Sequence, residues 1–449
     1  MSSSTNIGLS DEHLAFVSQA IDSASTELRR VNLEIWNNPE LKFKETKACK
    51  LLSEWLQSLG WEVNTGVYGI DTAFEARFSV IDGGRTICYN AEYGSCPNPV
   101  PTIAPQRLAN SHVDALPEIG HACGHNLIAT STLASGVGVA AAMKHFSIPG
   151  TLVIIGTPAE ETGGGKYIMA NHGAWKDCDI VVMTHPMPDF SSAQMSSKAS
   201  WKFRAKFHGR GSHAGAAPWD GANACDAIVM AYNGLALLRQ HIKKTESIQS
   251  IILEAGKAVN VIPDYSEGSF SLRADDSVSL ERLRERVIPI FNSAAAATGC
   301  SVELFWDALY EDVVTNIMLA SRYTEYMLNG LDSDPADFLD PSSQPKAALN
   351  GSSIDARFWF TNLTDCLSSD FGNCSYLKPG IQTLFKINAS NMPHTPEFQQ
   401  AAGSDFAHTE ALRAGKANAM VGIDILLHDE FYQSVQSEWE DSMKARGRR

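Results

Sequence analysis

The chain has 449 residues, 44% of them hydrophobic and 19% charged, the make-up of a water-soluble globular protein large enough for two domains. Its formal net charge of -15 argues against nucleic acid as a partner, because phosphate binding needs clustered Lys and Arg. Nine cysteines are scattered from Cys49 to Cys374, unlike the dense, paired spacing of a secreted disulfide scaffold.

The first residues show no basic stretch followed by an apolar one, and the apolar helix candidate around Val137 to Met143 is too short to span a bilayer. A reducing cytoplasm, with no membrane partner, is the expected home. The basic tail from Lys444 to Arg449 reads as a frayed terminus.

Asp11 to Leu33 carries Leu14, Val17, Ile21 and Leu28 at helical spacing, with Ser10 as N-cap. Glu45 to Leu59 predicts a second helix that stops at Gly60, and Thr72–Val80 and Thr86–Tyr93 predict strands. The Pro-, Ser- and Asn-rich stretch from Gly94 to Ser111 is too polar and broken for core and reads as an inserted loop. Leu127 to Met143 is full of Ala, Ser and Gly, which predicts a buried helix packed closely on a sheet. Thr151–Gly156 and Ile180–Thr184 are continuous apolar runs, as expected of central parallel strands.

Near Ser197 the texture changes. Strands at Trp201–Phe207, Ser250–Ala255, Ser266–Ala274 and Ser301–Trp306 alternate with helices at Asn223–Lys243 and Ser279–Ala297, the split βαβ order. This predicts an inserted domain over 198–311 within a main domain of 1–197 plus 312–449. The main pattern resumes at Ile317–Leu328 and is broken by a second polar loop, Asp332–Ser353.

Chemistry concentrates in His121-Ala122-Cys123-Gly124-His125, in Glu160-Glu161, and in His185 and His394. Thiolate, imidazole and carboxylate are the ligand types of zinc and similar divalent ions. Two adjacent glutamates after an apolar strand suggest that one binds metal and the other handles a proton. In open α/β sheets such groups gather past the carboxyl ends of strands, where Glu160, Glu161 and His185 are expected. Taken alone, His185 and His394 also read as a packed and a surface histidine.

Five ordered motifs now bear on identity: His121-Ala122-Cys123-Gly124-His125-Asn126-Leu127, Thr157-Pro158-Ala159-Glu160-Glu161, Gly211-Ser212-His213-Ala214-Gly215, Asn260-Val261-Ile262-Pro263-Asp264 and His394-Thr395-Pro396-Glu397-Phe398. Together they resemble the aminoacylase/carboxypeptidase metallopeptidases (metallopeptidase family twenty), in the amidohydrolase branch near the aminoacylase-like dipeptidases. The resemblance implies a zinc-exopeptidase-like α/β fold, a mostly parallel sheet flanked by helices, with an inserted ferredoxin-like lid that pairs into a homodimer. It implies two divalent ions, zinc foremost with manganese or cobalt able to serve, held by Cys123, His125, Glu161, His185 and His394. Glu160 would be the general acid/base, and His213 would reach the partner's site as an oxyanion donor. Asn260 and Arg273 would meet a substrate carboxylate. Asp114, in His112-Val113-Asp114-Ala115-Leu116-Pro117, would orient a ligand. Many relatives make the residue matching His112 a ligand, while the amidohydrolase branch usually lacks it, so both readings stand. Here the 94–111 insertion separates Glu92-Tyr93 from that Asp.

The expected activity is hydrolysis of the amide bond of a dipeptide or N-acyl amino acid. The same site run as an amide-forming enzyme, or an inactive scaffold, are the competing readings.

Overall fold

The computed structural model describes residues 8–97, 119–331, 333–338 and 368–448. His112, Asp114, Cys366 and most of both predicted polar loops lie outside the described residues. The described chain divides into two compact units, one drawn from 8–196, 313–338 and 373–448, the other from 197–312 and 368–372.

The strands, in chain order, are β1 (Glu62–Thr65), β2 (Phe74–Ser79), β3 (Thr86–Ala91), β4 (Cys96–Pro97), β5 (Ile119–Gly120), β6 (Thr151–Gly156), β7 (Ile180–Met187), β8 (Ala199–His208), β9 (Ser212–His213), β10 (Ser247–Glu254), β11 (Val261–Ile262), β12 (Tyr265–Ala274), β13 (Ser301–Tyr310) and β14 (Gly380–Lys386).

The larger unit is built on a six-stranded sheet in the order β1-β2-β6-β3-β7-β14. Strands β6, β3, β7 and β14 run parallel, while β2 is antiparallel to both β1 and β6. The central strands are buried on both faces, which is why they read as unbroken apolar runs. The fold class is α/β with a mostly parallel sheet, as the sequence implied. Strands β1 and β14 were not anticipated.

Helix His125–Phe146 packs against β3, β6 and β7 and against helices Asp11–Asn37 and Asp405–Leu427. Its small side chains make that proximity possible: a Cβ added at Gly138 would lie 2.9 Å from Ile21 Cδ1. It is longer than the sequence suggested. Its 22 residues, about 33 Å at 1.5 Å per residue, are long and apolar enough to cross a membrane by length and composition, yet 89% of its most apolar window is buried in this core. Helix Asp11–Asn37 is capped by Ser10, which accepts from His13 N, and buries Val17, Ile21, Leu28, Val31 and Ile35 along one stripe.

The smaller unit is a four-stranded antiparallel sheet, β10-β12-β8-β13, with helices Ala224–Leu238 and Ser277–Thr298 packed on it. Phe203, Phe207, Phe270, Leu235, Leu283 and Phe291 form its core. Along β12 burial alternates strictly, so Phe270, Leu272 and Ala274 face the helices and Arg273 faces away. The first helix stops at Leu238, short of the predicted Lys243, and a 3-10 turn, Arg239–His241, follows. The glycine-bearing stretch around His213 is fixed by pairing of β9 with β11, His213 opposite Val261.

Candidate active site

The site grows from the turn between β5 and helix His125–Phe146. Gly124 caps that helix at φ 73, and a Cβ there would sit 2.6 Å from Pro186 Cγ, so only glycine lets the turn close against β7. Closure sets Cys123 Sγ 3.3 Å from His185 Nε2. His185 does not lie past its strand, as expected, but within it, because β7 continues to Met187. The Nδ1 of His185 is 2.7 Å from the carbonyl of Pro186, an acceptor only. Nδ1 therefore carries the proton, leaving Nε2 with a free lone pair toward Cys123.

His125 is 1% exposed, and among the described residues neither of its ring nitrogens has a hydrogen-bond partner. Its Nε2 lies 3.5 Å from Glu92 Oε2 and 3.7 Å from Glu161 Oε1. Burial, partly opposed by the Glu161 carboxylate, pushes His125 down to about 4, so the ring is neutral and able to donate a lone pair. Burial also lowers His185. His121, in the same motif, turns its Nε2 toward Ser95 Oγ at 3.4 Å and is pushed by burial to about 3.

Past β6 the chain makes a tight corner. Ala159 adopts φ 64, a left-handed conformation that costs a non-glycine residue roughly 1–2 kcal/mol. Glu160 and Glu161 follow at once, opening the short helix Glu160–Gly163. His394 has φ 69, and its N–H donates to the Ala122 carbonyl at 2.8 Å, pinning it to the Cys123 turn. Its Nε2 is 3.6 Å from Glu161 Oε2. Two non-glycine residues at one site are thus held in left-handed conformations by their surroundings rather than by local preference.

Three groups of ligand atoms, each mutually within 4.8 Å, emerge: Cys123, His125 and His185; Cys96, Glu161 and His394; and Glu92, His125 and Glu160. All six residues foreseen for the catalytic centre in this unit, Cys123, His125, Glu160, Glu161, His185 and His394, fall in these groups. Cys96, Glu92 and Lys166 were missed. Lys166 is fully buried and its Nζ is 2.5 Å from Glu92 Oε1. The readable signals were slight: Glu92 directly follows the apolar strand β3, and Lys166 follows three consecutive glycines.

A divalent ion suits these residues. The His125 nitrogens and Glu92 Oε2, without a hydrogen-bond partner among the described residues, are buried polar atoms whose desolvation costs about 1–3 kcal/mol each if nothing meets them. Sulfur, imidazole and carboxylate donors are those of zinc-type ions.

In the smaller unit, His213 is exposed, and its Nδ1 accepts from Gly215 N at 3.2 Å and Ala216 N at 3.1 Å. Asn260 is exposed and its carbonyl accepts from Ala214 N at 3.0 Å. Arg273 is half-buried.

Residues 195–298 match the peptidase dimerisation domain. Over 432 residues the chain is 34% identical to Xaa-Arg dipeptidase of Mus musculus, covering 94% of this chain and 91% of the relative. The chain belongs to the M20 family of peptidases and amidohydrolases. It is also 26% identical over 461 residues to a p-aminobenzoyl-glutamate hydrolase polypeptide of Escherichia coli, covering 94% of each chain. The crystal structure of a Bacillus subtilis protein described as a dinuclear metal binding peptidase from the M20 family shares the fold, with TM-score 0.60 at 18% identity, covering 90% of this chain and 99% of that one. The family read from the five motifs is thus the family found by similarity. His213, Asn260 and Arg273 all fall within the M20 dimerisation-domain match.

Proposed function

We propose that the chain is a dinuclear metal-dependent amidohydrolase that cleaves the amide bond of a dipeptide or N-acyl amino acid. The observation that carries this reading is His125, buried with both ring nitrogens unpartnered among the described residues and shared between two ligand groups. Cys123, His125, Glu161, His185 and His394 hold the ions. Zinc is the resident metal on the strength of its thiolate and imidazole donors, with manganese or cobalt able to replace it. When bound, the pair of ions acidifies a water and polarises the scissile carbonyl.

Glu160 takes the proton of the attacking water and returns it to the leaving amine nitrogen. Because Nδ1 of His213 accepts two backbone N–H groups, its proton sits on Nε2, the form required to donate to a carbonyl oxygen gaining charge. Asn260 and the planar fork of Arg273 receive the substrate carboxylate. Asp114 orients a ligand.

A homodimer through the smaller unit is supported by exposed apolar side chains. Ile251, Ile252 and Leu253 lie on the edge strand β10, and Val229, Met230 and Leu237 on helix Ala224–Leu238. Eight free cysteines among the described residues suit a cytoplasmic home.

The test measures metal content and turnover on dipeptides ending in Arg, the class in the mouse relative's name, and on N-acyl amino acids. Two ions per chain are expected, with activity lost on chelation and recovered with zinc, manganese or cobalt. Glu160→Gln should keep its metals and lose roughly a hundredfold or more in turnover, whereas Glu161→Gln should lose metal too. Full activity in metal-free protein ends the reading.

A further inference from the structure

Cys96 belongs to none of the five motifs and lies in the stretch read from sequence as an inserted loop. The fold gives it a fixed place. Strand β4 pairs antiparallel with β5, Cys96 opposite Gly120, only three residues before Cys123. The side chain is 2% exposed, and its Sγ lies 2.7 Å from Glu161 Oε1. Cys96, Glu161 and His394 place one ligand atom each within 4.8 Å of the other two. Independently, His125 directs an Nε2 that has no hydrogen-bond partner among the described residues toward the same Glu161 oxygen, at 3.7 Å.

We propose that Cys96 is a metal ligand of this site, so that each of the two ions is held by one cysteine sulfur. Cys123 serves the ion shared with His125 and His185, and Cys96 the ion shared with Glu161 and His394. This rests on the dinuclear reading above and extends it to a residue the family motifs do not assign. On metal binding the thiol proton leaves to solvent and the S–H bond is replaced by a sulfur–metal bond. A second thiolate makes the Cys96 position favour zinc, cobalt and cadmium over magnesium and manganese, which prefer oxygen. A thiol that merely donated a hydrogen bond to Glu161 would be replaceable by a hydroxyl; a ligand sulfur is not.

The experiment uses the full chain, stripped by chelation and titrated with cobalt(II). The wild type should take up two equivalents, and the thiolate-to-cobalt charge-transfer absorption should grow across both. Cys96→Ser and Cys96→Ala should lose about half of that absorption and bind the second equivalent more weakly by more than the roughly 10–100-fold that loss of an outer-shell partner costs. The first equivalent, still bound, reports an intact fold. Cys123→Ala should lose the other half. Undiminished absorption with two equivalents bound in the Cys96 variants overturns the proposal.

A variant-free measurement guards against misfolding. Cobalt should protect Cys96 of the wild type from alkylation, mapped by mass spectrometry, and chelation should expose it. Equal alkylation with and without bound metal overturns the inference and leaves the dinuclear reading standing. A wild type that takes up no cobalt overturns both.

Discussion

Glu45 Oε1 accepts the backbone N–H of Ala159 at 2.9 Å, holding the left-handed residue that immediately precedes Glu160. The carboxyl is buried, accepts Thr72 Oγ1 through its other oxygen at 3.2 Å, and is pushed above the usual range by burial. Glu45 thus fixes the backbone that carries Glu160, the base of the proposed mechanism. Glu45→Ala should leave the Ala159 N–H unpaired, costing about 1–3 kcal/mol of stability. It should lower kcat several-fold while metal content and KM hold. Glu45→Gln keeps an acceptor oxygen and should restore kcat. Equal losses in both variants would sink the positioning role.

Lys166 and Glu92 form a buried ion pair against His125. Removing one partner of such a pair typically costs about 3–5 kcal/mol, because the other charge is left uncompensated. Lys166→Met should therefore lower the thermal midpoint of the metal-stripped protein sharply. Bound divalent cations lie beside Glu92 in the proposed site, so they should raise the midpoint of the variant more than that of the wild type. Equal gains in calorimetry would place the metals away from Glu92.

His213→Ala should retain both metals and lose roughly a hundredfold in turnover, the usual effect of removing an oxyanion donor. Mixing it with Glu160→Gln under exchange of protomers tests whether His213 acts in trans. If it does, half the sites of each heterodimer pair an intact Glu160 with an intact His213, and activity returns. If the mixture stays inactive, His213 serves its own protomer.

His408 sits buried between helices, its Nδ1 3.3 Å from Asn32 Nδ2, and burial followed by Arg29 lowers it to about 4. Its folded value is depressed below the ordinary 6.5, so the unfolded chain binds the proton first. The stability it contributes is complete above about pH 6.5 and is lost as pH falls toward 4. Unfolding of metal-stripped protein, which removes metal loss as a cause, should show this acid-side decline. His408→Gln should flatten it; an unchanged slope would assign the decline elsewhere.

The parts legible in the sequence are those where one face or both faces are apolar over a whole element. Thr151–Gly156 matches its strand residue for residue, and the order of elements in the smaller unit was readable from alternation and helical spacing. Polar and short elements were not. Strand β1, Glu-Val-Asn-Thr, has mostly exposed residues, and its pairing with β2 is set by tertiary contact. His185 was expected beyond its strand because the apolar run Ile180–Thr184 ends just before it. The pairing of β7 with β14 continues through Met187 because Pro is tolerated where its missing N–H is not needed. Cys96 could not be read as part of the site, since its proximity to Glu161 depends on a two-residue pairing across the inserted segment.

Helix His125–Phe146 starts at a site histidine and then runs through the core with small residues at its closest approaches. At Gly138, as at Gly415 facing Ala134, one extra methyl already collides with a packed neighbour. The floor beneath the chemistry is therefore closed to gradual change, because each single step outward is opposed by close-packed surroundings. Insertions into surface loops, by contrast, cost little, since loop-closure entropy grows slowly with length. The packing under the Cys123 turn is therefore the part of this scaffold least able to absorb a larger side chain.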